Sequence, residues 1–296
     1  MDLIDGMRVF VASVETGSFA GAGKRLGISG KLASKYLGVL EDRLGTRLLQ
    51  RTTRKLGMTA AGERLYARVP GWLDQFDELR ADLSEKGSRL TGTLRVSAPL
   101  TYGELHVQRL LCRFRQKHPD LVVDLRLSDA FVDLAAEGID LAIRIGRLPD
   151  SALIARKLSE ISVMLVASPE YLARNGEPEK IDDLLRHDCI RDTNMRGHGG
   201  WPLSDGQTLT EINVRAGFLV NSARAVRDLC LAGQGIALIP DYAVLEDLEA
   251  GRLRRVLSDY AAPGLDIHAV YLGGRRGVPR RVRAFLDFLA ASRSEF

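Results

Sequence analysis

The chain has 296 residues, 45% hydrophobic and 27% charged, with a net charge of +4; this length exceeds one small core and points to two or three domains. The longest apolar runs, such as "GIALIP" at 235–240, fall far short of the roughly 20 residues a membrane span needs, and no charged start followed by an apolar stretch marks a secretory leader. Three widely separated cysteines, Cys112, Cys189 and Cys230, fit no zinc or disulfide spacing, which predicts small buried hydrophobes in a reducing cytoplasm.

Charge is concentrated at the start. Residues 1–60 hold ten Lys and Arg against five Asp and Glu, so this head carries +5 and the rest of the chain −1. A basic head on a near-neutral body suits a polyanion at one end and another task at the other. Leu3, Met7, Phe10, Val11 and Val14 recur at the spacing of one buried helical stripe, and Gly17 is placed to close that helix in the left-handed conformation. Ser18 then caps a second helix that turns Phe19, Ala22 and Leu26 inward and stops at Gly27. Gly21 and Gly23 each cost a helix up to about 1 kcal/mol, which is tolerable where neighbouring chain packs closely.

Ser29 opens a third helix after a turn of three residues. Ala33, Leu37, Leu40 and Leu44 stack on one side of it, and Lys31, Ser34, Lys35, Gly38 and Asp42 lie on the other. Two short helices joined by a tight glycine-containing turn read as a helix-turn-helix, whose second helix puts its first residues against base edges in the major groove. The competing reading, a solvated polar face on a helical hairpin, stays open for this helix alone. Beyond it, strand-like segments at 47–50 and 56–59 flank a basic tip, Arg51, Thr52, Thr53, Arg54 and Lys55, the pattern of a β-hairpin wing whose charges suit phosphates.

The stretches "MRVFVASVETGSFAGAGKRLGIS" and "ASKYLGVLEDRLGTRLLQRTTRKLGMTAAGE" together resemble the N-terminal domain of LysR-type transcriptional regulators over about sixty residues. The resemblance implies a winged helix-turn-helix that meets double-stranded DNA through Ser29, Gly30, Lys31, Ser34, Lys35 and Tyr36 of the third helix and through Arg51–Lys55 of the wing. Gly30, Lys31 and Tyr36 depart from residues common in the family, so operator preference does not carry over.

Residues 59–87 read as a helix capped by Thr59, with Leu65, Tyr66, Val69, Leu73, Phe76, Leu79 and Leu83 in a stripe and a kink or break expected at Pro70-Gly71. The family resemblance implies that this linker pairs with its copy in a homodimer that assembles further to a homotetramer; packing on the chain's own body is the alternative. Domain limits are placed at 1–58, 59–89 and 90–296.

From residue 90 the pattern alternates between strands and helices. Strands are predicted at 93–98, 121–128, 139–146, 162–168, 218–221, 235–240 and 267–272, with helices at 101–117, 131–138, 223–232, 241–250 and 279–292, which argues for largely parallel α/β sheets. This half resembles the effector-binding domain of the same regulators, with the fold of type 2 periplasmic solute-binding proteins. The resemblance implies two lobes, 91–162 plus 270–296 and 163–269, joined by two crossover strands.

Ligands of open α/β sheets sit beyond the carboxyl ends of strands. That rule selects Pro99, Leu100, Thr101 and Tyr102 at a helix start where free N–H groups favour an anion, then Ser128, Phe131, Arg144 and Ile145, with Asn194, Trp201 and Asn221 from the facing lobe. The expected ligand is a small organic effector, anionic or aromatic. Local alternatives are an Arg144–Asp140 ion pair, a core role for Phe131 and a helix cap at Ser128. No cofactor is expected. The five histidines, His106, His118, His187, His198 and His268, fit no metal motif; no nucleophile elbow or P-loop is present; and "GHGGW" at 197–201 reads as a loop. These absences weigh against an enzyme, and nothing near the cysteines marks the reactive thiolate a redox sensor needs.

Overall fold

The computed structural model describes residues 2–51, 56–82, 89–131, 133–148, 153–195, 200–273 and 278–292. Helices α1 (Leu3–Thr16), α2 (Phe19–Leu26) and α3 (Gly30–Leu44) open the chain, followed by β1 (Leu49–Arg51) paired antiparallel with β2 (Leu56–Met58). The caps follow the sequence. Ser18 and Ser29 Oγ accept from the Gly21 and Leu32 N–H groups, and Gly17, Gly27 and Gly45 close the three helices with φ of 68°, 69° and 66°. Phe10, Leu37, Leu40, Leu48 and Leu49 form the core of this unit. Leu26 and Leu44 differ from expectation. Both are exposed, because each lies in the last turn of its helix beyond the reach of that small core.

The linker is two helices, α4 (Ala60–Tyr66) and α5 (Val69–Asp82). The break falls at 67–68, just ahead of Pro70, so the proline occupies the first turn of α5, where its missing N–H has no intrahelical acceptor to lose. Val69 and Leu73 are buried, and Arg8 of α1 pairs with Asp77 of α5. Trp72 stacks on Phe76 with centroids 6.0 Å apart and remains 43% exposed. The outer part of the expected stripe at Leu83 lies outside the described residues.

The remainder comprises β3 (Gly92–Ala98), α6 (Leu100–Tyr102), a π-turn (Gly103–Val107), α7 (Gln108–Lys117), β4 (Leu121–Leu127), α8 (Leu134–Glu137), β5 (Leu141–Ile145) and β6 (Ile154–Ile161). Then follow β7 (Val163–Ala167), α9 (Pro169–Asn175), a 3-10 turn (Ile181–Arg186), β8 (Cys189–Asp192), β9 (Trp201–Ser204), β10 (Leu209–Ile212) and β11 (Ala216–Val220). The chain closes with α10 (Ala223–Leu231), β12 (Ile236–Pro240), a 3-10 turn (Asp241–Ala243), α11 (Leu245–Glu249), β13 (Arg254–Arg255), β14 (Leu265–Tyr271) and α12 (Arg280–Ala291).

Two five-stranded sheets result, ordered β4-β3-β5-β14-β6 and β11-β8-β12-β7-β13. Each contains a run of three parallel strands, but β14 is antiparallel to β5 and β6, and β7 is antiparallel to β12 and β13. The sheets are therefore mixed rather than largely parallel, because β7 and β14 are the strands that carry the chain from one lobe to the other and enter against the run. β14 pairs in the first sheet along its whole length from Leu265. The return to the first lobe thus comes before residue 265, earlier than the expected 270.

The first lobe packs α7 and α12 on one face of its sheet, where Phe114 meets Phe285 and Phe288 at centroid distances of 4.9 and 5.4 Å. Arg281 of α12 is 1% exposed and bonds Asp140 at 2.8 Å. A buried ion pair of this kind is strongly destabilising to break from one side. Strand-poor stretches hid β8, β9, β10 and β13 from sequence reading, since each has at most four residues.

Candidate nucleic-acid interface and effector site

The α2–α3 turn is built by close approach. A Cβ on Gly23 would lie 2.6 Å from the Ile28 carbonyl oxygen and 2.9 Å from the Gly30 N. Only glycine admits the turn this near, which fixes how α3 leaves α2. A Cβ on Gly21 would instead meet a side chain, 2.7 Å from the Cβ of Thr16 at the end of α1. The turn leaves Ser29, Lys31 and Lys35 exposed, with Ser34 and Tyr36 half-buried. The core side of α3, Ala33, Leu37 and Leu40, is buried, so the polar side faces away from the domain.

A groove of about 900 Å³ runs between this polar side and the wing, lined by Ser34, Gly38, Asp42, Arg47 and Gln50 among others. The wing is set against α3 by the Glu41 carboxylate, which accepts from the Leu48 and Leu49 N–H groups at 2.7 and 3.1 Å. Arg51 ends β1, three residues along the strand that Leu49 begins. Thr52, Thr53, Arg54 and Lys55 lie outside the described residues.

The residues expected around an effector separate into two groups. Pro99, Leu100, Thr101 and Tyr102 stand where the lobes meet, and Thr101 Oγ1 accepts from the Arg224 N–H of α10 at 3.2 Å. The Arg224 guanidinium also reaches Glu104, Nη1 to Oε2 3.1 Å. Tyr102 is fully buried, edge-on to Tyr242 with centroids 5.1 Å apart. At the crossing between lobes, Asp241 N–H donates to the Ser162 carbonyl at 3.0 Å and Ser162 N–H to Asp241 Oδ2 at 3.3 Å.

Arg144 is 6% exposed and does not pair with Asp140, which is held by Arg281 instead. Its guanidinium donates to the Ile143 carbonyl at 2.8 Å, Ser97 Oγ at 2.9 Å and the Ala130 carbonyl at 3.4 Å. Burial lowers its pKa, and Asp129 and Glu137 act against that. Arg144 therefore props the loop after β4 from behind. In that loop Ser128 Oγ accepts from the Ala130 N–H rather than capping α8, whose cap is Asp133, and Phe131 is exposed at 42% rather than core. Ile145 is half-buried at the end of β5.

In the second lobe, Asn194 Nδ2 donates to the Asn221 carbonyl at 2.7 Å, so those two residues stand together beyond β8 and β11. Trp201 does not join them. It is 5% exposed in the core of the second lobe, where β9 pairs with β10.

Three residues that the sequence reading missed share the meeting place of the lobes. Asp129, one residue beyond Ser128, accepts from the Leu100 N–H at 3.3 Å, and burial raises its pKa. Asp192 ends β8, is 8% exposed, and accepts from the Asn194 N–H at 2.9 Å. Its pKa is pushed up to about 6, first by burial and then by the Asp129 charge, against the help of the Asn194 N–H. Tyr242 follows β12, and burial raises its phenol, with Asp192 and Asp129 next among the causes. The strand-end rule reaches all three once β8 and the exact ends of β4 and β12 are known.

Cys189 and Cys230 are buried as expected, and burial drives both thiols up to about 12, whereas Cys112, expected to be buried, is exposed on α7. Among the described residues no cluster of metal-ligating side chains occurs, and no helix is long and apolar enough to cross a membrane.

Two family models match the chain: a bacterial regulatory helix-turn-helix protein of the lysR family over residues 4–63, and a LysR substrate binding domain over 87–294. An uncharacterized HTH-type transcriptional regulator of Haemophilus influenzae is 37% identical over 282 residues, covering 95% of this chain and 98% of that protein. Among solved structures, the full-length Vibrio cholerae virulence activator AphB is 32% identical with a TM-score of 0.62, covering 98% of this chain and 99% of that one. CrgA, a LysR-type transcriptional regulator from Neisseria meningitidis, is 30% identical with a TM-score of 0.63 over 97% and 98% of the two chains.

Proposed function

Since the chain belongs to the LysR family of bacterial transcriptional regulators, we propose that it controls its target genes in response to a small organic effector held between the two lobes. It is a DNA-binding regulator and not an enzyme. The observation that carries the effector reading is the polar meeting of the lobes at their strand ends. Thr101 and Glu104 of the first lobe reach Arg224 of the second, and Asp129 shares its field with Asp192. An effector that binds one arrangement of the lobes better than another shifts their population and so the setting of the DNA-reading heads.

In this reading Lys31, Ser34 and Lys35 enter the major groove, Ser29, Gly30 and Tyr36 flank them, and the wing from Arg51 to Lys55 holds phosphates. The Trp72–Phe76 stack on α5, with Trp72 exposed and Phe76 half-buried, supports a homodimer through the linker, with a homotetramer as the further assembly. A dimer presents two recognition helices to half-sites about one helical turn apart.

The test joins a ligand screen to footprinting. Any small molecule that raises the Tm of the full-length protein is added to a nuclease footprint on the DNA flanking its own gene. The expected result is protection of two half-sites whose extent or intervening cleavage changes with the ligand. A footprint indifferent to every stabilising ligand refutes effector control.

A further inference from the structure

Resting on the effector reading above, we propose that the effector carries a protonated amine, seated between Asp129 of the first lobe and Asp192 of the second beside the Tyr242 ring.

Three observations converge on this. The first is charge. Among the described residues neither Asp129 nor Asp192 has an ion-pair partner, although one is half-buried and the other 8% exposed. Of the cations close by, Arg224 is paired with Glu104, and Arg144, bonded only to the neutral Ile143 and Ala130 carbonyls and Ser97, stands behind Asp129 and acts against burial to lower its pKa, so its single charge offsets one of the two carboxylates and not both. A buried carboxylate is costly unless paired, and a cation brought between two of them relieves both.

The second is the aromatic surround. Tyr242 meets Tyr102 edge-on at 5.1 Å and His106 edge-on at 5.9 Å, and Tyr102 stacks on His106 at 4.8 Å. Aromatic faces beside carboxylates suit an alkylammonium, which gains from the ring quadrupole where water is excluded.

The third is a polar atom left waiting. The Tyr102 hydroxyl is wholly buried at the same junction and has no hydrogen-bond partner among the described residues. Leaving such a group unpaired costs about 1–3 kcal/mol. It lies in the field of Asp241 and acts, with Asp192 and Asp129, on the phenol of Tyr242, whose ring Tyr102 meets edge-on, so a polar group of the ligand at this junction can satisfy it.

Burial, and after it the Asp129 charge, raises Asp192 to about 6. The groups around it are Asp129 after β4, Tyr242 and Asp241 after β12, Tyr102 and His106 on the helix after β3, and Arg144 behind Asp129. The ionised form binds the amine, so affinity falls as pH drops through about 6.

The test is calorimetry on the full-length protein with matched probes: butylamine against butyrate, and benzylamine against benzoate, with phenethylamine and a diamine added. Near neutral pH the amines bind and the acids do not. Asp192→Asn and Asp129→Asn each weaken the best amine by about tenfold or more, the loss expected for one charge-assisted hydrogen bond. Affinity of the unaltered protein for that amine also falls on acidification, a readout that needs no variant. Binding of the acids with no response to the amines, no binding of any amine, or amine binding unchanged in both variants overturns the proposal. Footprinting of the same samples separates this from the broader reading: an intact footprint with no amine response sinks only the amine, whereas loss of DNA binding in the unaltered protein sinks the regulator.

Discussion

Asp192 is costly to ionise where it stands. Burial is the larger cause and the Asp129 charge the next, which moves the carboxyl from 3.8 to about 6. The sign of the consequence follows. Its native pKa lies above its unfolded value, so the native state holds the extra proton between the two, and stability falls as pH rises from about 4 to about 6. The loss is at most about 3 kcal/mol, at 1.36 kcal/mol per unit. Denaturant melts across this range should show the downward slope in the unaltered protein, and Asp192→Asn should flatten it. Equal slopes in the two proteins would mean that Asp192 is not the group responsible. Arg144 shows the same scale from the other side: buried yet bonded to three neutral acceptors, it positions the loop that carries Asp129.

Elements decide how much of this the sequence revealed. α1, α2 and α3 were legible almost to the residue because Ser18, Ser29, Gly17 and Gly27 announce their ends through hydroxyl caps and left-handed turns. The glycines inside α2 read as costs in the sequence, and the structure turns them into requirements. Gly23→Ala gains helix propensity but drives a Cβ into the Ile28 carbonyl at 2.6 Å, backbone that cannot swing aside. The expected outcome is a net loss of about 1–3 kcal/mol in the DNA-binding domain, seen as a lower Tm, together with weaker operator binding. A variant as stable and as tight as the parent would show that the turn tolerates opening. Elsewhere the sequence was less informative. β8 has four residues and offers no periodicity, so Asp192 at its end was invisible, while Trp201 read as a rim residue because nothing in its neighbours reveals that β9 and β10 form a hairpin over the second core. Crossover strands carry no local signature of direction, which is why the alternating pattern led to largely parallel sheets and missed the antiparallel entry of β7 and β14.

At the scale of the molecule, charge and topology divide the work. The head of residues 1–60 carries +5 on a body of −1, and its lysines lie on the side of α3 that the core does not use. The body is two lobes that touch through polar strand ends, an arrangement whose energy a small ligand can change. The most direct measurement is the affinity of the full-length protein for duplex DNA from its own promoter region as salt is varied. Neutralised phosphates release counterions, so affinity should fall by about 10³ or more between about 50 and about 200 mM salt. Lys31→Ala and Lys35→Ala should each weaken binding, and each that meets a phosphate should reduce the log–log slope by about 1. A flat salt dependence, with both variants binding like the parent, would contradict the account.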